Sequence, residues 1–239
     1  MTALRRLRIP LAGEAGFTLV ELLAAMVIGL LVVFAAFSLT GRAFQATNEA
    51  TDRVDAAQRG RLALDDVTRQ MGSMVCFSGI LPLISGNATA VTYVTDLGDG
   101  TTSPERHTLT FTANTSGSYD LVETDYTMTS VNGASPVTWS STPARTKTVL
   151  ANVQQDGSTP FLRYLGYSAT AADRTTALNS TLTADDLDNV TQIALAFNVK
   201  PEHAASSAFR GTTLSERVAI PQADPSLTDP NKTSVAATC

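Results

Sequence analysis

Gly16-Phe17-Thr18-Leu19-Val20-Glu21-Leu22-Leu23-Ala24-Ala25-Met26-Val27-Ile28-Gly29-Leu30-Leu31 is the stretch on which the fold turns. It opens an apolar run in which Leu22 to Thr40 carries no charge, and between Phe17 and Phe37 the one charge is Glu21. A helix rises 1.5 Å per residue, so about 20 residues cross a hydrocarbon core of about 30 Å. The run is long enough, and no other segment of the chain compares with it. At most one membrane span is expected, at the N-terminus. Arg5, Arg6 and Arg8 precede it, which places that side in the cytoplasm by the positive-inside rule.

Three readings compete for this segment. A cleaved secretory signal needs a small-residue Ala-x-Ala site after the apolar stretch. The residues there, Phe34 to Leu39 and Gly41 to Ala46, contain none, and the run exceeds a signal core of about 7–15 residues. An uncleaved signal anchor is compatible with the run itself. The third reading accounts for Gly16, Phe17 and Glu21 together. A carboxylate inside a membrane segment costs roughly 2.5–3.5 kcal/mol on insertion scales, and such groups usually have a functional partner.

The string Gly16 to Leu31, behind its arginine-bearing leader, closely resembles the class III leader junction of type IV prepilins. In that family a prepilin peptidase cuts after the glycine, and the new N-terminal residue is N-methylated. The resemblance implies a leader over residues 1–16, cleavage between Gly16 and Phe17, and Phe17 as the N-methylphenylalanine. Glu21 matches the fifth mature residue of the family. Its implied role is to pair with the Phe17 amine of a neighbouring subunit, which cancels two charges in apolar surroundings and sets the axial register. The implied partners are other pilin or pseudopilin subunits, the prepilin peptidase and an inner-membrane assembly platform.

Beyond the span the helix is expected to continue. Residues 41–71 contain no proline and many good helix formers. Ala57, Gly60, Leu64, Val67 and Met71 form a narrow apolar stripe at three- and four-residue spacing. Arg53, Arg59, Arg61, Asp65, Asp66 and Arg69 mostly fall elsewhere, and Gly41 and Gly60 are weak points. One helix over residues 17–72 would be about 80 Å long. Residues 17–41 would serve as membrane span and filament core, and the later half would lay its stripe on a globular domain.

Residues 73–239 change character to Ser, Thr, Gly and Asn, with short alternating runs between turn clusters. Strands are expected at residues 90–95, 107–112, 119–123, 137–140, 146–153, 161–165, 191–200 and 216–220. Ala184 to Asp188 reads as a helical turn, with Thr183 and Asp186 spaced as a capping box. The tail from Pro221 is expected to be irregular. The fold class is therefore α+β: a long N-terminal helix packed on a C-terminal antiparallel sheet, a pilin-like arrangement. The strands at Leu150-Ala151-Asn152-Val153 and Phe161-Leu162-Arg163-Tyr164 resemble those of the larger minor pilins and pseudopilins, called PilW-like and pseudopilin J-like. So do the helical turn before Val190 and the closing Ser215 to Ile220.

Cys76 and Cys239 are the two cysteines. Outside the cytoplasm their pairing would tether the tail to the helix end, closing a loop for which chain entropy suggests about 5 kcal/mol. Unpaired thiols, or a terminal cysteine linking two chains, are the alternatives.

The search for chemistry finds little. The net charge is -5, from 17 Lys+Arg against 22 Asp+Glu, and argues against direct nucleic-acid contact. His107 and His203 stand far apart, and His107, beside Arg106, reads as a surface residue. Asp96, Asp99 and Gly100 lack the spacing of a calcium loop and read as a polar hairpin turn. Asp185, Asp186 and Asp188 suit the start of a short helix. Trp139, Tyr164 and Tyr167 read as sheet core. No nucleophile elbow, P-loop or dinucleotide fingerprint is present. No enzyme activity, cofactor or metal is expected. The function implied is a structural subunit of a type IV pilus, in a minor, tip or assembly-priming position. It would begin as a single-pass inner-membrane protein with an extracytoplasmic domain. A type II secretion pseudopilin, a competence pilus component, or a signal-anchored extracytoplasmic binding domain or enzyme are the alternatives.

Overall fold

The computed structural model describes residues 18–77, 79–96, 104–129, 137–168, 171, 175–201 and 211–220. Its first element is a single helix, α1 (Leu19–Gly72), the long helix expected from the apolar run and the proline-free stretch after it. The chain divides into two compact units, Met1–Asn48 and Glu49–Cys239. In the first unit, every described residue is exposed. In the second, α1 buries Ala56, Gly60, Ala63, Leu64, Val67, Gln70 and Met71. Ala57, placed in the expected stripe, is only half-buried; Ala56 and Ala63 take the closer positions, and a polar residue, Gln70, joins them.

Among the described residues nine strands follow. They are β1 (Leu83–Gly86), β2 (Ala90–Thr95), β3 (Glu105–Ala113), β4 (Tyr119–Tyr126), β5 (Arg145–Gln154), β6 (Leu162–Tyr167), β7 (Thr175–Ala177), β8 (Val190–Val199) and β9 (Thr212–Ala219), with α2 (Ala184–Leu187) before β8. All pairings are antiparallel. The order is β1-β2-β3-β4-β5-β8-β6-β7, and β9 pairs with β8. β9 runs along β8 from Gln192 to Val199. The other edge of β8 is therefore divided: Val190 to Leu195 pair with β6, while Asn198 and Val199 pair with the end of β5. The fold is α+β, as the sequence suggested.

Strict alternation orients the strands. His107, Leu109 and Phe111 of β3 are buried, as are Leu121, Glu123 and Asp125 of β4, because side chains two residues apart share a face. Phe111 stacks on Phe161 with centroids 4.1 Å apart, and Phe197 completes the aromatic centre of the core. Gly60 explains how α1 comes near β8 and β9: a Cβ there would overlap Leu214 Cδ1 and stand 2.8 Å from Val199 Cγ2. It is a point of close approach and not a break, since α1 runs through it.

Some expectations are corrected. Residues 137–140 form no strand; Trp139 makes one isolated bridge to Met128 and is half-buried, as is Tyr167. Leu83 to Gly86, not expected as a strand, form β1, which leans on β2 for its register. β7 went unforeseen because Thr175-Thr176-Ala177 is too short to show a period. The capping box of α2 is present, with Thr183 and Asp186 bonding reciprocally. The tail from residue 221 lies outside the described residues.

Candidate functional site

The N-terminal junction is the first place where the sequence points to function. Gly16 and Phe17 lie outside the described residues; Thr18 and Glu21 are seen. The Glu21 backbone N–H donates to Thr18 Oγ1 at 3.3 Å. Thr18 N–H and its hydroxyl both donate to Glu21 Oε2 at 3.1 Å. This is a capping box, with threonine at the cap and glutamate three residues on. Glu21 thus satisfies two donors at the start of its own helix, where the dipole favours a negative charge. The signature Thr18-x-x-Glu21 was present in the sequence but was obscured by the intersubunit role that the resemblance implies. The two roles are compatible, since both bonds fall on one oxygen and a carboxylate offers about four acceptor sites.

Past this cap, Leu19, Leu30, Phe34 and Phe37 are each at least 70 % exposed. Among the described residues α1 is the one helix long and apolar enough to cross a membrane.

The second place lies in the globular unit and was not foreseen. His107 is fully buried, against the expectation of a surface residue. Register sets it directly opposite Asp125 on β4 and Tyr93 on β2, and Glu123 and Asp125 turn to the same face as His107. His107 Nδ1 stands 3.0 Å from Glu123 Oε1 and 2.9 Å from Asp125 Oδ1. His107 Nε2 lies 3.5 Å from Glu105 Oε2. Arg145 Nε donates to Asp125 Oδ2 at 2.8 Å. From the helix, Gln70 accepts from the Tyr93 hydroxyl at 3.2 Å and acts on the Glu123 carboxyl to favour its charged form.

One ring nitrogen carries at most one hydrogen. It can serve the Glu123 oxygen or the Asp125 oxygen, not both. Asp125 Oδ1, Glu123 Oε2 and His107 Nε2 are buried with no hydrogen-bond partner among the described residues. Such atoms are costly unless something pairs with them. Burial pushes the His107 pKa down, but the Glu123 hydrogen bond and the charges of Asp125, Glu123 and Glu105 outweigh it, and the net shift is upward. Burial pushes the Glu123 carboxyl up, and its bonds to His107 and Gln70 more than reverse that. The bond to Asp125 raises Arg145 further above its ordinary value.

His107, Glu123 and Asp125 each present a donor atom, all within 4.8 Å of one another. The expectation of no metal ligands rested on His107 standing alone, and the fold removes that ground. His203, Asp99 and Gly100 lie outside the described residues. Cys76 is half-buried just beyond α1, whereas Cys239 lies outside the described residues.

Residues 11–37 match the family model of the prokaryotic N-terminal methylation motif. The match spans the junction and the first half of the apolar helix, and it supports a type IV pilin-like precursor anchored by a single membrane pass. It implies processing by prepilin peptidase, assembly with other pilins and a structural role. No curated protein matches the chain.

Proposed function

We propose that this chain is a subunit of a type IV pilus, in the minor, tip or assembly-priming class. Prepilin peptidase removes residues 1–16 by cutting after Gly16, and Phe17 becomes the N-methylated terminus. Residues 17–72 then act as the assembly helix, with 17–41 as membrane span and later filament core. Residues 73–239 form the extracytoplasmic domain, closed by a bond between Cys76 and Cys239. The observation that carries this reading is the methylation-motif match over residues 11–37.

Leaving lipid for a filament is feasible for such a helix. Leu22 to Thr40 bears no charge and includes Gly29 and several alanines, so it can pack against lipid or against similar helices. Cleavage frees the Phe17 amine, and Glu21 of a neighbour offers it a carboxylate already held at a helix start.

Peptide mass spectrometry of the membrane and sheared-surface fractions tests the proposal. A chain beginning at methylated Phe17, together with loss of pili and intact protein secretion on gene deletion, is the expected result. A chain still beginning at Met1, or cut after the apolar run, would overturn it.

A further inference from the structure

We propose that His107, Glu123 and Asp125 form a buried binding site for a divalent transition-metal ion of the zinc class. Two carboxylate oxygens converge on one imidazole nitrogen, at 3.0 and 2.9 Å. A single N–H satisfies only one of them, and Asp125 Oδ1 is left without a hydrogen bond. A cation seated among the three atoms serves all of them at once. Zinc binds imidazole nitrogen and carboxylate oxygen at about 2.0–2.2 Å in a tetrahedral array, which sets ligand atoms about 3.4 Å apart. The two nitrogen–oxygen separations, 3.0 and 2.9 Å, need to open by only a few tenths of an ångström, and the three ligand atoms already lie within 4.8 Å of one another.

Charge favours the same occupant. Two buried carboxylates and a neutral imidazole sum to a charge of two minus, which one divalent ion cancels. The flanking Arg145 and Glu105, at the more exposed rim, offset each other. The donor set selects the ion: calcium and magnesium prefer oxygen alone, whereas imidazole with carboxylate suits zinc-like ions.

The ligands also have supporting neighbours, as metal ligands usually do. Arg145 grips Asp125 through its second oxygen. Gln70, itself fixed by Tyr93, favours the charged form of Glu123. Glu105 faces His107 Nε2, so a proton kept on Nε2 leaves the Nδ1 lone pair for the ion. Because Gln70 belongs to α1 and the ligands to β3 and β4, an ion here would fasten the helix to the sheet. The site does not depend on the pilus reading.

The test uses the full chain in detergent micelles, stripped with chelator and titrated with Zn2+. Native mass spectrometry should show one ion per chain, and the melting temperature should rise with added ion. Co2+ in its place should give visible absorption of a protein-bound ion. His107→Gln and Asp125→Asn should each abolish the visible absorption and weaken Zn2+ binding by at least about 100-fold, and Gln70→Ala should weaken it by about 10-fold or more. Asp125→Asn leaves the His107–Glu123 bond in place, so it serves if His107→Gln does not fold. Absence of uptake by the stripped chain would overturn the proposal, with the cluster then held by protons alone. Uptake unchanged in both ligand variants would place the ion elsewhere and overturn it equally.

Discussion

Residues 19–48 and residues 49–72 belong to one uninterrupted helix, yet they solve opposite problems. The first stretch is mostly apolar, and its described residues are all exposed. The second is rich in charge and buries a stripe of mostly small side chains against the sheet. Helix propensity makes both helical; what differs is the partner. For the second stretch the partner is folded from the same chain. For the first, an exposed apolar helix of membrane-spanning length, lipid or other helices suit that role. Glycine shows the difference most sharply. Around Gly29 nothing lies within 4 Å, whereas at Gly60 a Cβ would collide with Leu214.

Each part of that contrast can be attacked, and the largest effect is expected at the far end of α1. If Cys76 and Cys239 are bonded, reduction removes a cross-link for which chain entropy suggests about 5 kcal/mol. Thermal melting with and without reductant should show a large loss confined to the globular unit. The Cys76→Ser/Cys239→Ser double variant should melt like the reduced protein. Equal melting temperatures would show that the thiols do not bridge the tail to the helix end.

Next comes the pair of glycines. Gly60→Leu forces a side chain into Leu214 and Val199 and should destabilise the globular unit by about 1–3 kcal/mol. Gly29→Leu should leave melting of that unit unchanged and act, if at all, on filament yield. A Gly29→Leu chain with a lowered melting temperature would mean that the two stretches are not independent.

The long helix was legible in the sequence, and so was most of the sheet. The runs at residues 90–95 and 191–200 alternate apolar with polar residues and became β2 and β8. Failures came where a side chain's identity was weighed above its position. His107-x-Leu109-x-Phe111 and Leu121-x-Glu123-x-Asp125 each carry polar groups on the apolar beat. Period-two alternation alone puts each set of three on one face of its strand, yet His107 read as a surface residue because histidine beside arginine suggests solvent. No local pattern, however, could show that β3 pairs with β4 in the register that sets His107 against Asp125. That pairing is fixed by turns and by the whole inward face. Trp139 failed in the reverse way: an aromatic among Val and Thr looked like a strand, but it stands 5.9 Å from the Arg106 guanidinium instead of joining a ladder.

A smaller effect separates the two roles of Glu21. Thr18→Ala and Glu21→Ala both remove the cap, which costs about 1 kcal/mol of local helix stability. Both should be processed normally. Only Glu21→Ala should fall out of filaments, measured as the ratio of sheared to membrane-bound subunit. If Thr18→Ala were depleted to the same degree, the cap and not an intersubunit pair would explain why a carboxylate stands in the apolar run.

The smallest expected effect tests what ties the second stretch down. Lys147 on β5 donates to Asp66 on α1 at 3.1 Å, and Arg69 donates to the same carboxylate at 2.7 Å. Partial burial raises the Asp66 carboxyl, but the two cations outweigh it, and the net shift is below the ordinary 3.8. A depressed folded-state value means stability that is fully present above the unfolded pKa and is lost as pH falls through the folded one. The contribution should therefore be constant at neutral pH, start to fall near about pH 4 and be gone once pH lies below the folded value. The pair is half open to water, so it is worth less than about 1 kcal/mol. Lys147→Ala should lower the melting temperature slightly at pH 7 and converge with the parent chain near pH 2. A gap that persists in acid would show that Lys147 acts through its aliphatic stem, packed along α1, and not through its charge.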